Sequence, residues 1–470
     1  FVDGMGRDAP EVTIRDAGPL WGRPAREAED VIRSEHGTDW QVAAIGPAGE
    51  RLVPYATISH DGRHAGRGGL GAILGAKNVK AIAVRGDRRV DVYAPSRVVA
   101  IAKDLSARSF GPATEKYREL GTVANLLVFN RFDALPTRNF QSGRFETAER
   151  LAAERLSPSK LIVRNSCASC TIGCEHVYTK KGGGGVRMEY ESLFALGPLL
   201  GVDDPDIVLS AAKLCDDLGV DTISTGGTIA FVMECAERGL VEAVLPSGRD
   251  LRFGDGEAVV EAIGLIPDRR GIGALLANGS RRAAEIVGRG SASFAMHVKG
   301  LEMPGYDPRT LQTMALGLAV GTRGADHNRS GAYDADFSDR ADRLRGGLDS
   351  ARLAIEAEDK SALMDSLILC KFVRGVFTDF HAESAEMLAA VTGWDITAEE
   401  LRETSRRIVA AKRALNAREG WTIAEDTLPS RLLAEGPDDG GRGVLFRSRL
   451  DAMVAEYHRL RGAPTSDVRS

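Results

Sequence analysis

Cysteine is scarce in this chain, six thiols among 470 residues, and that scarcity excludes a disulfide-stapled fold. So few thiols in so long a chain point to a reducing compartment, and a cytoplasmic location is expected. An excess of charge is also lacking: 61 lysines and arginines face 66 aspartates and glutamates, a net charge of −5. Neither nucleic acid nor a membrane surface is therefore an expected partner. No apolar run approaches the roughly 20 residues of a bilayer-spanning helix, and the first residues carry no secretory pattern. Repeats of solenoid type are absent as well. What remains is an ordinary globular composition, too long for one core and suited to two or three domains.

Three of the six cysteines, Cys167, Cys170 and Cys174, lie together in the run from Asn165 to Glu175, spaced C-x2-C-x3-C. Thiolates this close repel one another unless a metal neutralises them, and soft sulfur ligands select zinc or an iron–sulfur cluster. The order is the reverse of the C-x3-C-x2-C of radical-SAM enzymes, which disfavours that chemistry. A fourth ligand must come from Cys215, Cys235 or Cys370. Small buried core cysteines and structural zinc are the competing readings, and the tight spacing favours the cluster.

Residues 1 to about 90 read as short strands broken by glycine and proline: Gln41 to Ile45, Leu52 to Ile58, Val79 to Val84. The chain enters at Phe1 in mid-pattern, so a preceding segment is expected. From about Pro95 the pattern turns helical. Helices are expected over Ser96 to Ala107, Glu191 to Leu218, Thr228 to Arg238, Gly273 to Val287, Leu311 to Val320, Ala362 to Arg374 and Ala398 to Glu419. Asn165 to Gly185 reads as one loop, and Gly462 to Ser470 as a frayed tail.

Between the strands lies Gly66-Arg67-Gly68-Gly69-Leu70-Gly71. Its glycines would let backbone amides approach a phosphate, with Arg67 as a bidentate partner, although a tight turn explains them equally. It is neither a dinucleotide fingerprint nor a Walker loop. Asp216 and Asp221 are five apart, as are Asp365 and Cys370. On a continuous helix such pairs diverge, so they share a target only at a helix end or turn. Carboxylates so placed suit a ligand ring rich in N–H donors, and Asp221 also reads as a helix cap. Cys370 is then the natural fourth cluster ligand. His327, in a polar run with glycines, would face a cavity and could donate a proton to a carbonyl. Glu189 and Glu191 follow the glycine run Gly182 to Gly185, and one of them could reach the same cavity; otherwise they start a helix. Cys215 and Cys235 read as small core hydrophobes.

These stretches, in this order, resemble the tungsten-containing aldehyde ferredoxin oxidoreductases. The resemblance is carried by Ile45 to Glu50, Ala65 to Ile82, the cysteine loop, Glu189 to Glu191 with Leu196-Gly-Pro198, and Asp221 to Gly226. It continues through Val298 to Arg309, Arg323 to His327 and Asp365-x4-Cys370, and so covers almost the whole chain. It implies an α+β fold: a partial β-rich N-terminal pterin-binding saddle domain (1–90), followed by two predominantly α-helical domains (91–297 and 298–470). It implies oxidation of aldehydes to carboxylic acids at a tungsten or molybdenum bis-pterin centre. Electrons would leave through a [4Fe–4S] cluster to ferredoxin or a small iron–sulfur electron-transfer subunit. Cys167, Cys170, Cys174 and Cys370 match the cluster ligands, and Asp216, Asp221 and Asp365 the pterin-binding acids. His327 and one of Glu189 or Glu191, by spacing Glu191, match the catalytic pair. The loop of Gly66, Arg67, Gly68, Gly69 and Gly71 would face the pterin phosphates and a bridging Mg2+. The family leaves room for a homodimer, but no E-x2-H pair suggests a subunit-bridging iron. Val220 and Ile368 depart from the usual leucine and glycine, and early pterin contacts of the saddle would precede Phe1. The alternatives are an active-site subunit of an aromatic acyl-CoA reductase, a non-catalytic iron–sulfur or zinc scaffold, and an inactive remnant.

Overall fold

Val42 and Ala44 turn inward while Gln41 and Ala43 face outward, and this alternation makes Gln41–Ile45 an inner strand of a six-stranded sheet. The strands run in the order Glu11–Val12, Val2–Gly4, Ala81–Gly86, Gln41–Ile45, Ile58–His60 and Arg63–Ala65. Only the pairing of Val2–Gly4 with Ala81–Gly86 is parallel. The computed structural model describes residues 1–6, 9–436 and 438–462. Apart from Gly462, the expected frayed tail lies outside the described residues.

The expected strand from Leu52 to Ile58 is mostly irregular. Leu52 has φ of 55°, and Pro54 has no N–H to donate. Ala56 instead makes an isolated antiparallel bridge to Val220, which docks the N-terminal sheet on the helical layer. The expected loop from Asn165 to Gly185 is irregular over most of its length but contains one strand, Glu175–Thr179, which pairs with Leu161–Asn165 and Gly185–Met188 into a meander. His176, Tyr178, Val186 and Met188 bury one face of it. The cysteine-bearing connection between its first two strands is irregular, and Gly182 to Gly184, all at positive φ, turn the second hairpin.

The rest is helical, so the chain is α+β. Glu191 to Leu218, expected as one helix, is broken into Tyr190–Leu196, Pro198–Leu200 and Pro205–Leu218. Pro198 lacks an N–H, Gly201 takes φ of 71°, and Asp204 caps the last piece. Thr222–Glu237 starts six residues earlier than expected because Asp221 caps it. Leu348–Ser366 ends before Cys370, since Leu369 N–H reaches back to Met364 O across Ile368 at φ 57°.

Thirteen of the sixteen residues of Thr222–Glu237 are buried, and so is every residue of Gln312–Val320. Helices apolar on all sides belong at a centre, and one continuous core from Ala48 to Tyr457 surrounds them. At Gly226 an added Cβ would lie 2.2 Å from Ala195 O, so Tyr190–Leu196 crosses here at a distance only glycine permits. That crossing sets where Glu189 and Glu191 point. Among the described residues no helix is long and apolar enough to cross a membrane.

Candidate active site

Glu189 caps helix Tyr190–Leu196, and Glu191 lies in its first turn. Thr122 Oγ1 donates to Glu189 Oε2 at 2.6 Å and accepts from Tyr190 N at 2.9 Å, which ties Glu189 to the helix start. Glu191 is differently held. Its Oε2 accepts from Gly305 N at 3.0 Å, while Oε1 lies 3.5 Å from His327 Nε2, beyond a good hydrogen bond. Burial pushes both carboxyls above the usual carboxylate range; for Glu191, His327, the Gly305 N–H and Arg67 oppose it.

His327 opens a single helical turn whose cap is Asp326, accepting from Asn328 N at 3.0 Å and Arg329 N at 3.2 Å. The Tyr306 ring packs 5.1 Å from the imidazole. Glu191 Oε1 and His327 Nδ1 are buried with no hydrogen-bond partner. Buried polar atoms left unsatisfied are costly, and one on each of two facing side chains asks for further partners.

These groups border a cavity of about 560 Å³, to which Asp221 and Arg67 also contribute. Asp221 Oδ2 accepts from Ser224 N at 3.0 Å, so the cap reading and the cavity position hold together. Arg67 turns inward. Its guanidinium donates to Ala325 O at 2.7 Å and to Glu302 O, and its Nε lies 3.4 Å from Asp221 Oδ2. Arg323 donates in turn to Arg67 O and pairs with Asp326 at 2.9 Å. The N-terminal sheet is thereby laced to the loop that carries His327. The neighbouring glycines have packing reasons: a Cβ at Gly69 would meet Pro54 O at 2.3 Å, and one at Gly71 would meet Thr57 O at 2.4 Å. Gly66 lies beside Asp221, and Gly68, at φ 98°, beside the Arg323 guanidinium.

Asp216 and Asp365 do not line this cavity. Asp216 ends helix Pro205–Leu218 and lies 3.3 Å from His64 Nε2, whose Nδ1 lies 2.8 Å from Thr57 Oγ1. Burial raises Asp216 to about 7 and lowers His64 to about 4. Gly219, at φ 73°, makes the turn from Asp216 to Asp221. Asp365 pairs with Arg329 and, at 3.2 Å, with Lys371.

The cysteine loop meets the chain end of Leu348–Ser366 nearby. Cys170 N–H donates to Cys167 O at 3.1 Å, and Phe372 stacks 4.4 Å from Tyr117, which holds the Cys370 segment in place. The Cys174 thiol is pushed up to about 12, first by burial, then by Glu189, Cys370, Cys170 and Cys167. The four thiols are thus neighbours. Even so, the one group of three metal-type ligand atoms within 4.8 Å of one another, among the described residues, is Glu29, His60 and Asp61. No three of these thiols come within 4.8 Å of one another. Cys215 and Cys235 are buried in helices.

Sequence reasoning missed His64, Thr122, Tyr306 and Arg323. Tyr306 and Arg323 lie inside segments already singled out and His64 just before one, whereas Thr122 carries no local signal.

The family profile described as "Aldehyde ferredoxin oxidoreductase, domains 2 & 3" matches residues 101–466, and that of the N-terminal domain matches residues 7–86. The chain belongs to the aldehyde ferredoxin oxidoreductase family. It is 37% identical to the tungsten-containing aldehyde ferredoxin oxidoreductase of Thermococcus kodakarensis, over 96% of this chain and 75% of that protein. It is 36% identical to the Pyrococcus furiosus enzyme of the same name, with the same coverage. A P. furiosus aliphatic sulfonate oxidoreductase, WOR-like subunit, is 28% identical over 95% of this chain and 73% of its own length. Among solved structures, the active site complex BamBC of benzoyl coenzyme A reductase with 1,5-dienoyl-CoA aligns with TM-score 0.79 at 21% identity. That alignment covers 98% of this chain and 77% of the other, and the likeness is one of fold. As a member of this family the chain is an oxidoreductase.

Proposed function

We propose that this member of the family oxidises aldehydes to carboxylic acids at a tungsten bis-pterin centre. Its electrons leave through a [4Fe–4S] cluster to ferredoxin or a small iron–sulfur subunit. The observation that carries the reading is the buried pair Glu191–His327, each with an unsatisfied atom at the wall of one cavity.

The residues fit the group. Asp221 on the cavity wall, together with Asp216 and Asp365, would supply acceptors for pterin N–H groups, and the loop from Gly66 to Gly71 would face the phosphates and Mg2+. Cys167, Cys170, Cys174 and Cys370 offer four neighbouring soft donors, the set an iron–sulfur cluster takes. Bound there, the tungsten centre supplies Lewis acidity and a two-electron acceptor.

The protein's own part follows from geometry. Aldehyde and water give a carboxylic acid, two protons and two electrons. An N–H of His327 donates to the carbonyl oxygen, where negative charge grows during attack. Glu191 Oε1 takes the proton of the attacking water; a carboxyl raised by burial is the stronger base for that task. Glu189, already bonded to Thr122, holds the helix start that aims Glu191.

The test is anaerobic purification, elemental analysis and aldehyde-dependent dye reduction. Tungsten near one and iron near four per chain, with activity, are the expected results. Zinc alone, or reduction of an aromatic acyl-CoA in place of aldehyde oxidation, would overturn the reading.

A further inference from the structure

Resting on the aldehyde-oxidising reading, we propose that the substrates of this site are aryl aldehydes, gripped by an aromatic collar that runs from His327 to the surface. The chain is poor in aromatic residues, 15 phenylalanines, eight tyrosines and four tryptophans in 470. Seven of them nonetheless line the one cavity that holds Glu191 and His327.

The rings form a ladder. Tyr306 packs 5.1 Å from the His327 imidazole, and Phe129 meets Tyr306 edge to face, 5.0 Å away at 75°. Phe337 continues from Phe129 at 5.5 Å and 60°, and it stands 42% exposed. Tyr333 stacks on Tyr306 at 5.4 Å and 15°, while Tyr117 and Phe372 add a second ring pair to the wall. Edge-to-face and offset arrangements are the geometries aromatic rings prefer, so a flat ring entering this collar finds compatible partners.

Charge on the wall gives the same answer. Arg67 pairs with Asp221, and Arg374 pairs with Asp334 at 2.7 Å. Lys116 donates to Asn125 Oδ1 at 3.1 Å and lies 4.9 Å over the Tyr117 ring, at the collar rather than the reacting end. The carboxylates near the reacting end, Glu189 and Glu191, repel an anionic substrate. A neutral ring that carries an aldehyde satisfies both the collar and the polar end, whereas acetaldehyde leaves the collar in water. Remote contacts of this kind raise kcat/KM, and each missing methylene in an apolar pocket lowers it by about 10- to 200-fold.

The experiment compares kcat/KM for benzaldehyde, 2-naphthaldehyde and acetaldehyde with a viologen acceptor, using holoenzyme purified without oxygen. The expected ratio of benzaldehyde to acetaldehyde is on the order of 100 or more. F337A, a change at a half-exposed position, lowers that ratio about tenfold, and F337L restores part of it. Benzyl alcohol, neutral and without an aldehyde group, should raise the melting temperature more than ethanol at equal concentration does, a readout independent of turnover. A ratio near or below one, or a ratio indifferent to F337A, overturns the aryl proposal and leaves aldehyde oxidation standing. Failure to oxidise any aldehyde with tungsten and iron in place overturns both.

Discussion

Glu191 carries two opposed demands: burial favours its neutral form, yet a proton acceptor must be ionised. With its carboxyl raised above the usual range, kcat/KM falls as pH drops through that raised value, and the acid limb belongs to Glu191. Glu191→Gln should cost about 100- to 10,000-fold in kcat and abolish that limb while tungsten and iron stay bound. A pH–rate profile of the variant that keeps the limb would assign it elsewhere. Ile368 makes the opposite kind of statement. A β-branched residue at φ 57°, 91% exposed, has nothing to gain from burial and bears the steric cost of the left-handed region. Ile368→Gly should raise stability by about 1 kcal/mol in denaturant titrations, after allowing for the entropy glycine brings to the unfolded chain. A loss of stability would mean the isoleucine is held by contacts the fold does not reveal.

At the scale of the element, two almost wholly buried helices aim the Glu191 and His327 side chains. Asp336 accepts from Thr313 N at 3.0 Å and Met314 N at 2.8 Å, holding the start of Gln312–Val320, which leads to the His327 loop. Burial outweighs these N–H groups and raises Asp336 to about 7. Its unfolded value is near 3.9, so the folded state binds the proton more tightly. That contribution is complete below pH about 4 and is lost as pH rises toward about 7. Between pH 5 and 8 the melting temperature of D336N should therefore fall less than that of the parent, and parallel slopes would exclude the linkage. Gly226 supports the other arm. A methyl group there must displace the Ala195 carbonyl, so G226A should cost about 1–3 kcal/mol and shift the helix that carries Glu191. Unchanged melting and turnover would show that the crossing has slack. Thr222–Glu237 is open to solvent only at its ends, which is why apolar periodicity places its start six residues late. With no polar face there is no helical periodicity to read, and only the cap Asp221 marks the boundary.

At the scale of the whole molecule, the thiols belong to segments about 200 residues apart, so a bound cluster would staple the cysteine loop to the end of Leu348–Ser366. Cys370→Ser should lose the broad iron–sulfur absorption and most of the iron. Hydrogen exchange should then speed up together in residues 166–174, 367–374 and the helix Pro112–Leu120, which Phe372 touches through Tyr117. Acceleration confined to the cysteine loop would mean that the packing, not the cluster, joins these parts.

The sequence by itself determined the residue types that matter: three thiols at a spacing that suits a soft metal centre, and acids placed near helix ends. It also determined the cap at Asp221 and the turn at Gly219, because capping and left-handed backbone are local demands. The resemblance favoured Glu191 over Glu189 by spacing, and the tertiary structure supplies the reason: Thr122, 67 residues before Glu189, takes up the other carboxyl. The tertiary structure alone turned Arg67 inward onto Ala325 and Glu302, brought Tyr306 and Phe129 to the His327 cavity, and left Asp216 and Asp365 off that wall. Local backbone preferences act within a few residues, whereas burial and charge pairing act between segments that meet only when the core closes.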